Sequence, residues 1–116
     1  MRILYIEDEP ADAQLVARYV QSTEHELVTV PTIQEARSHL ESSPGLILVD
    51  ILINRTRQGY DFVSELRAQG YTAPIIAVTG LALPLEIEHC YRVGFTDVLT
   101  KPYAVRQLAD LLQKYL

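Results

Sequence analysis

Leu46-Ile47-Leu48-Val49-Asp50 is an unbroken apolar run that ends on a carboxylate. Ile3-Leu4-Tyr5-Ile6 is a second such run, followed by Glu7-Asp8, and Pro74-Ile75-Ile76-Ala77-Val78-Thr79 is a third. A strand with one wet face alternates apolar and polar residues. A continuous run is the pattern of a parallel strand covered on both faces. Strands are therefore expected at 2–6, 26–30, 46–50, 74–79 and 97–99. Leu27-Val28-Thr29-Val30 and Val98-Leu99 are milder and read as sheet edges.

Helix patterns fill the gaps. Ala13, Val16, Ala17 and Val20 share one face of the first. Thr32-Ile33-Gln34-Glu35 has the form of a capping box and opens a second, which should bury Ile33, Ala36 and Leu40. A third follows Gly59, carries Phe62, Val63 and Leu66, and stops at Gly70. A fourth starts at Pro84, a favourable first-turn proline, and stops at Gly94. The last runs from about Ala104 to the end. Its apolar arc takes in Ala104, Val105, Leu108, Ala109, Leu111, Leu112, Tyr115 and Leu116. That is wider than one core needs, which leaves room for an interface: a homodimer through the last helix, or another partner.

Five βα units make a doubly wound α/β sandwich with helices on both faces of a parallel sheet. Such sheets bind ligands at the carboxyl ends of their strands. Glu7, Asp8, Asp50 and Thr79 all fall at those ends, and Lys101 lies just past Asp97-Val98-Leu99-Thr100. Two carboxylates about 4 Å apart repel by roughly 4 kcal/mol at an effective dielectric near 20, so gathering three calls for a cation. An oxygen-only ligand set with no His or Cys nearby suits Mg²⁺. Acids also favour helix N-termini, and a lone lysine is usually solvated; the joint placement is what points to phosphoryl-transfer chemistry. No glycine-rich phosphate loop follows the first strand, where Glu7-Asp8-Glu9 would repel a nucleotide phosphate.

The chain has 116 residues, enough for one domain over 1–116, and a formal net charge of −5. No basic cluster supports direct nucleic-acid binding, and no apolar stretch suggests membrane insertion. Cys90 is the one cysteine, which suits a reducing, cytoplasmic setting, and the first residues turn acidic too soon for a signal peptide. His25, His39 and His89 lack metal-ligand spacing and read as surface residues, and Cys90 as packing.

Four stretches together resemble the receiver domain of bacterial two-component response regulators: 3–10 with its acidic pair, 46–50, 74–80 with its threonine, and 94–103 with its Lys101-Pro102 pair. They run in order over the whole chain. The resemblance implies a flavodoxin-like (βα)5 three-layer sandwich with strand order 2-1-3-4-5. It implies that Asp50 accepts a phosphoryl group from a sensor histidine kinase or histidine phosphotransfer protein. Asp8, Asp50 and the backbone carbonyl of Leu52 would hold Mg²⁺, with Glu7 acting through a water. Lys101 would neutralise phosphoryl oxygens, and Thr79 would swing toward them and bias a two-state surface. The Lys101-Pro102 bond should be cis.

This sequence also departs from the family pattern. The family commonly runs from its phosphoacceptor through a proline to a glycine one residue sooner than Gly59, whereas 51–59 has no proline and carries Arg55 and Arg57. Val98 stands at the aromatic switch position; Tyr103 and Tyr91 are the nearby substitutes. Leu52 and Leu81 occupy the positions that tune loss of the phosphoryl group, and neither orients a water, so self-dephosphorylation should be slow. The leading expectation is a phosphorylatable switch, not a substrate-turning enzyme, with an unnamed downstream partner. The alternatives are a degenerate receiver acting as a protein scaffold, and a Mg²⁺-dependent phosphatase with an Asp nucleophile. The latter generally keeps an acid where Leu52 stands.

Overall fold

A computed structural model of the chain describes residues 1–52, 58–80 and 83–116. Its strands are β1 Arg2–Ile6, β2 Glu26–Val30, β3 Leu46–Asp50, β4 Ile75–Thr79 and β5 Asp97–Thr100. Its helices are α1 Pro10–Gln21, α2 Ile33–Arg37, α3 Gln58–Ala68, α4 Pro84–Val93 and α5 Val105–Tyr115. All strand pairs are parallel, in the order β2-β1-β3-β4-β5. The expected doubly wound sandwich and strand order are borne out.

The continuous apolar runs divide residue by residue between two cores. Leu4, Ile6, Ile47, Val49, Ile75 and Ala77 join Ile33, Phe62, Val63 and Cys90 on the face covered by α2, α3 and α4. Ile3, Tyr5, Leu46, Leu48, Ile76 and Val78 join Val16, Val20, Leu108 and Leu112 under α1 and α5. Successive strand side chains point to opposite faces, so a strand covered on both sides has no polar position to spare.

β5 runs one residue beyond the expected 97–99, to Thr100, and α3 includes Gly59 rather than following it; β4 and α2 differ as well. β4 starts at Ile75 because Pro74 has no N–H for the ladder, although its carbonyl accepts from Ile47 N at 3.0 Å. The Thr32 hydroxyl caps α2 as expected, but the helix closes after Arg37 and a 3₁₀ turn, Leu40–Ser42, follows. Ser38 Oγ donates to the Glu35 carbonyl and Ser42 Oγ to His39, both at 2.7 Å. Such hydroxyls compete with the helical ladder. Leu40 is consequently half-buried at the core margin rather than within it. The histidines are also less exposed than expected. All three are half-buried, and His89 packs edge-on against Tyr60, centroids 4.5 Å apart. On α5, Leu111, Tyr115 and Leu116 pack against the core, which uses most of the wide arc; Val105 stays exposed. Among the described residues no helix is long and apolar enough to cross a membrane.

The end of the sheet opposite the carboxyl edge is pinned by Arg67. Its guanidinium donates to the carbonyls of Gly94, Tyr71 and Ala73 at 2.8–2.9 Å and to Thr96 Oγ1 at 3.1 Å. Gly94 permits this: its φ is +122°, and a Cβ there would sit 2.6 Å from Arg67 Cγ. Arg67→Ala orphans three carbonyls and should lower stability by about 3 kcal/mol in urea denaturation. Arg67→Lys should recover less than half, because one ammonium cannot fork to all four acceptors.

Candidate functional site

The register of the sheet builds the site. Ile6 pairs with Val49, so Glu7 and Asp8 leave β1 beside Asp50 at the end of β3. Asp50 pairs with Val78, which sets Thr79 one step beyond it on β4, and Thr79 pairs with Thr100 on β5. Lys101 follows at once, and its N–H donates to the Thr79 carbonyl at 2.7 Å. The order in which strands are added to the sheet reverses between β1 and β3, and the acids sit at that crevice. The structure thus brings Glu7, Asp8, Asp50, Thr79 and Lys101 to one sheet edge. The Lys101-Pro102 bond is cis, as expected.

Glu7 is buried, with its side chain wholly enclosed. It accepts from Tyr5 OH at 3.2 Å, Glu9 N at 3.2 Å and Lys101 Nζ at 3.3 Å. Asp50 accepts from Leu52 N at 3.0 Å through Oδ1 and from Lys101 Nζ at 3.3 Å through Oδ2. Capping does not explain the acidic pair, since Glu9 is the residue that caps α1, accepting from Ala11 N. Oxygens of Glu7, Asp8 and Asp50 all lie within 4.8 Å of one another. Among the described residues no His or Cys joins them. This compact, hard-oxygen donor set fits a divalent cation such as Mg²⁺.

Burial and charge together govern the local proton balance. Burial, and then the shared proton and charge of Asp50, push Glu7 up to about 8. Burial alone would lower Lys101, but its bond to Asp12 and the charges of Asp50 and Glu7 outweigh that and raise it, so the ammonium stays charged. Burial, followed by the Glu7 charge, raises the Tyr5 phenol.

Two contributors escape a sequence reading built on the acidic pair. Asp12 Oδ2 holds Lys101 Nζ at 2.8 Å, the shortest of the three carboxylate contacts. Its signal is spacing: Asp12 stands four and eight residues before Val16 and Val20, at the head of the buried stripe of α1. Tyr5 is the other; a phenol in a fully enclosed strand needs a polar partner, and Glu7 lies two residues on along the same strand face. A cavity of about 350 Å³ opens beside Lys101, lined by Asp12, Leu15, Pro102 and Tyr103.

The switch substitutes are accounted for as well. Val98 is half-buried against the core. Tyr91 OH reaches Asp97 at 3.2 Å, and Tyr115 OH reaches the same carboxylate at 2.8 Å. Tyr103 is half-buried and packs with the core under α1 and α5. The side chain of Leu52 is exposed at the rim. Arg55, Arg57 and Leu81 lie outside the described residues.

The raised Glu7 makes the fold pH-sensitive. The folded chain keeps this proton where the unfolded chain has lost it, so the burden is absent below the ordinary carboxyl range, grows as pH rises toward about 8, and is complete above that. Metal-free protein should therefore unfold at a lower urea midpoint at about pH 9 than at about pH 6, and Glu7→Gln should shrink the difference.

The family model described as the response regulator receiver domain matches residues 3–113. An uncharacterized 14.6 kDa protein of Leptolyngbya boryana is 34% identical over 99% of this chain and 89% of its own length. The transcriptional regulatory protein CssR of Bacillus subtilis is 25% identical over 98% of this chain but only 50% of its own length, so the chain spans about half of that relative. Among solved structures, the receiver domain of a Pseudomonas aeruginosa sensor histidine kinase, with magnesium coordinated in its active-site cleft, superposes with a TM-score of 0.84. It is 32% identical and is covered over 95% of its length by 98% of this chain. By its motif order, strand order and acidic crevice, this chain belongs to the response regulator receiver domain family.

Proposed function

We propose that residues 1–116 form one phosphoacceptor domain, with Asp50 taking a phosphoryl group from the phosphohistidine of a sensor kinase or histidine phosphotransfer protein. The observation that carries the reading is the convergence of Glu7, Asp8, Asp50 and Lys101 in one crevice. A carboxylate oxygen of Asp50 attacks phosphorus. The P–N bond to the donor imidazole breaks as the P–O bond forms, and the imidazole takes up a proton as it leaves.

Asp8, Asp50 and the Leu52 carbonyl would hold Mg²⁺, with Glu7 acting through a water. When bound, that ion offsets the carboxylate charge and the charge on the transferred phosphoryl oxygens. The remaining work falls to the chain. Leu52 N fixes one oxygen of Asp50, the Lys101 ammonium offsets charge on a phosphoryl oxygen, and the Thr79 hydroxyl donates to another. Burial of Asp50 and Thr79 keeps bulk water from weakening these interactions. Withdrawal of Thr79 and Lys101 toward the new group would reshape the β4–β5 edge and pass the signal to a downstream protein. A phosphohistidine donor places the domain in the cytoplasm, and a formal net charge of −5 argues against direct nucleic-acid contact. Self-association through α5 would bury Val105, its exposed large apolar residue among those described.

Incubation with Mg²⁺ and a small acyl phosphate or amidophosphate should add one phosphoryl group by intact mass, and Asp50→Asn should abolish it. An adduct that survives in the variant, or no adduct while a control receiver is labelled, would overturn the reading. The label should also be lost more slowly from the native chain than from a Leu52→Asn, Leu81→Glu variant, followed by mass over time.

A further inference from the structure

Among the described residues, one ammonium meets three acidic side chains in the crevice. Lys101 Nζ touches Asp12 at 2.8 Å, and Glu7 and Asp50 at 3.3 Å each. The side chains of Glu7 and Asp50 are 0% and 11% exposed, while that of Asp12 is 40% exposed. The best contact of the ammonium is therefore the outermost one. Asp12 comes from α1 and Lys101 from the segment after β5, so this pair also ties two elements together beside the 350 Å³ cavity.

We infer that Asp12 is a positioning residue that holds Lys101 at the rim of the crevice in the resting protein and competes with the phosphoryl group for its ammonium. The inference rests on the phosphoacceptor reading and adds a control to the same site. A phosphoryl group on Asp50 brings close to two negative charges and three strong acceptor oxygens. Its oxygens lie on the Asp50 side of the ammonium and Asp12 on the solvent side. A compact ammonium on a flexible stem follows the larger charge. Turning to the phosphoryl oxygens draws Lys101 off Asp12, so the lost contact weighs against the phosphorylated state. Asp12 therefore helps to set how readily the domain is occupied, and phosphorylation leaves an unpaired carboxylate on the cavity wall.

The test is beryllofluoride binding at saturating Mg²⁺, followed by the amide NMR signals of residues 79 and 101. The partly exposed pair makes a modest effect appropriate: Asp12→Asn should bind the phosphoryl mimic about three- to fivefold more tightly than the native chain at low salt. The gap should narrow in about 1 M salt, where such a pair is screened. Asp12→Glu, which keeps the charge, should return toward the native affinity. A purely structural role would show neither the salt dependence nor the rescue. Unchanged or weaker binding by Asp12→Asn, with native protein binding normally and Asp50→Asn silent, overturns the competition alone. Failure of the native chain to bind the mimic overturns the phosphoacceptor reading, and the competition with it.

Discussion

One ammonium among buried carboxylates is the constraint on which the rest of this structure depends. Lys101 meets Glu7, Asp50 and Asp12 from a half-buried position, and without it the crevice would concentrate negative charge where water cannot screen it. The fold tolerates the arrangement by two means: it encloses Glu7 so deeply that its proton is hard to lose, and it threads the lysine in from the end of the sheet. Both leave a site that gains from a divalent cation. The acids cost the resting fold something, and the same cost makes the crevice receptive to positive charge.

The sheet makes this arrangement repeatable. Three apolar runs buried on both faces fix strand register, because a slip of one residue would swap the cores beneath α1 and α5 for those beneath α2, α3 and α4. Register in turn fixes which residues emerge together at the carboxyl edge. Asp50 is level with Val78, and Thr79 with Thr100, so the spacing of the chemical groups follows from core packing. Arg67 closes the opposite end by bonding carbonyls of the segments that lead into β4 and β5. Stability at one edge and chemistry at the other are thereby built from the same ladder.

This division explains what could be read from residues alone. β1 and β3 were legible to the residue because their apolar runs are unbroken and end on acids. The ends of α3 and α4 were legible because Gly70 and Gly94 adopt positive φ. The early closure of α2 was not, since Ser38 and Ser42 act through local hydroxyl bonds that a count of apolar positions passes over. Asp12 and Tyr5 were missed for a related reason. Each sits on an otherwise apolar stripe, where periodicity is satisfied by the neighbours and the odd polar group looks like noise. A carboxylate at the head of a buried helical stripe, one turn from an acidic pair, is better read as a member of the site.

The tyrosines show how the chain departs from an aromatic switch at the position of Val98. Tyr91 on α4 and Tyr115 on α5 both donate to Asp97 at the start of β5, and Lys114 lies 3.7 Å from the same carboxylate. Burial would raise Asp97, but the bonds from Tyr115, Val98 and Tyr91 outweigh it and hold the carboxyl below its ordinary range, so it remains an acceptor for both phenols. α4, β5 and α5 are therefore joined at the amino end of β5, while Lys101 and Thr79 are joined at its carboxyl end by a backbone bond. A short strand of four residues links the two. Val98, midway along that strand, is half-buried against the core and carries no ring. The crevice and the Asp97 carboxylate that both phenols share thus lie at opposite ends of one short strand, which joins the site to α4 and α5.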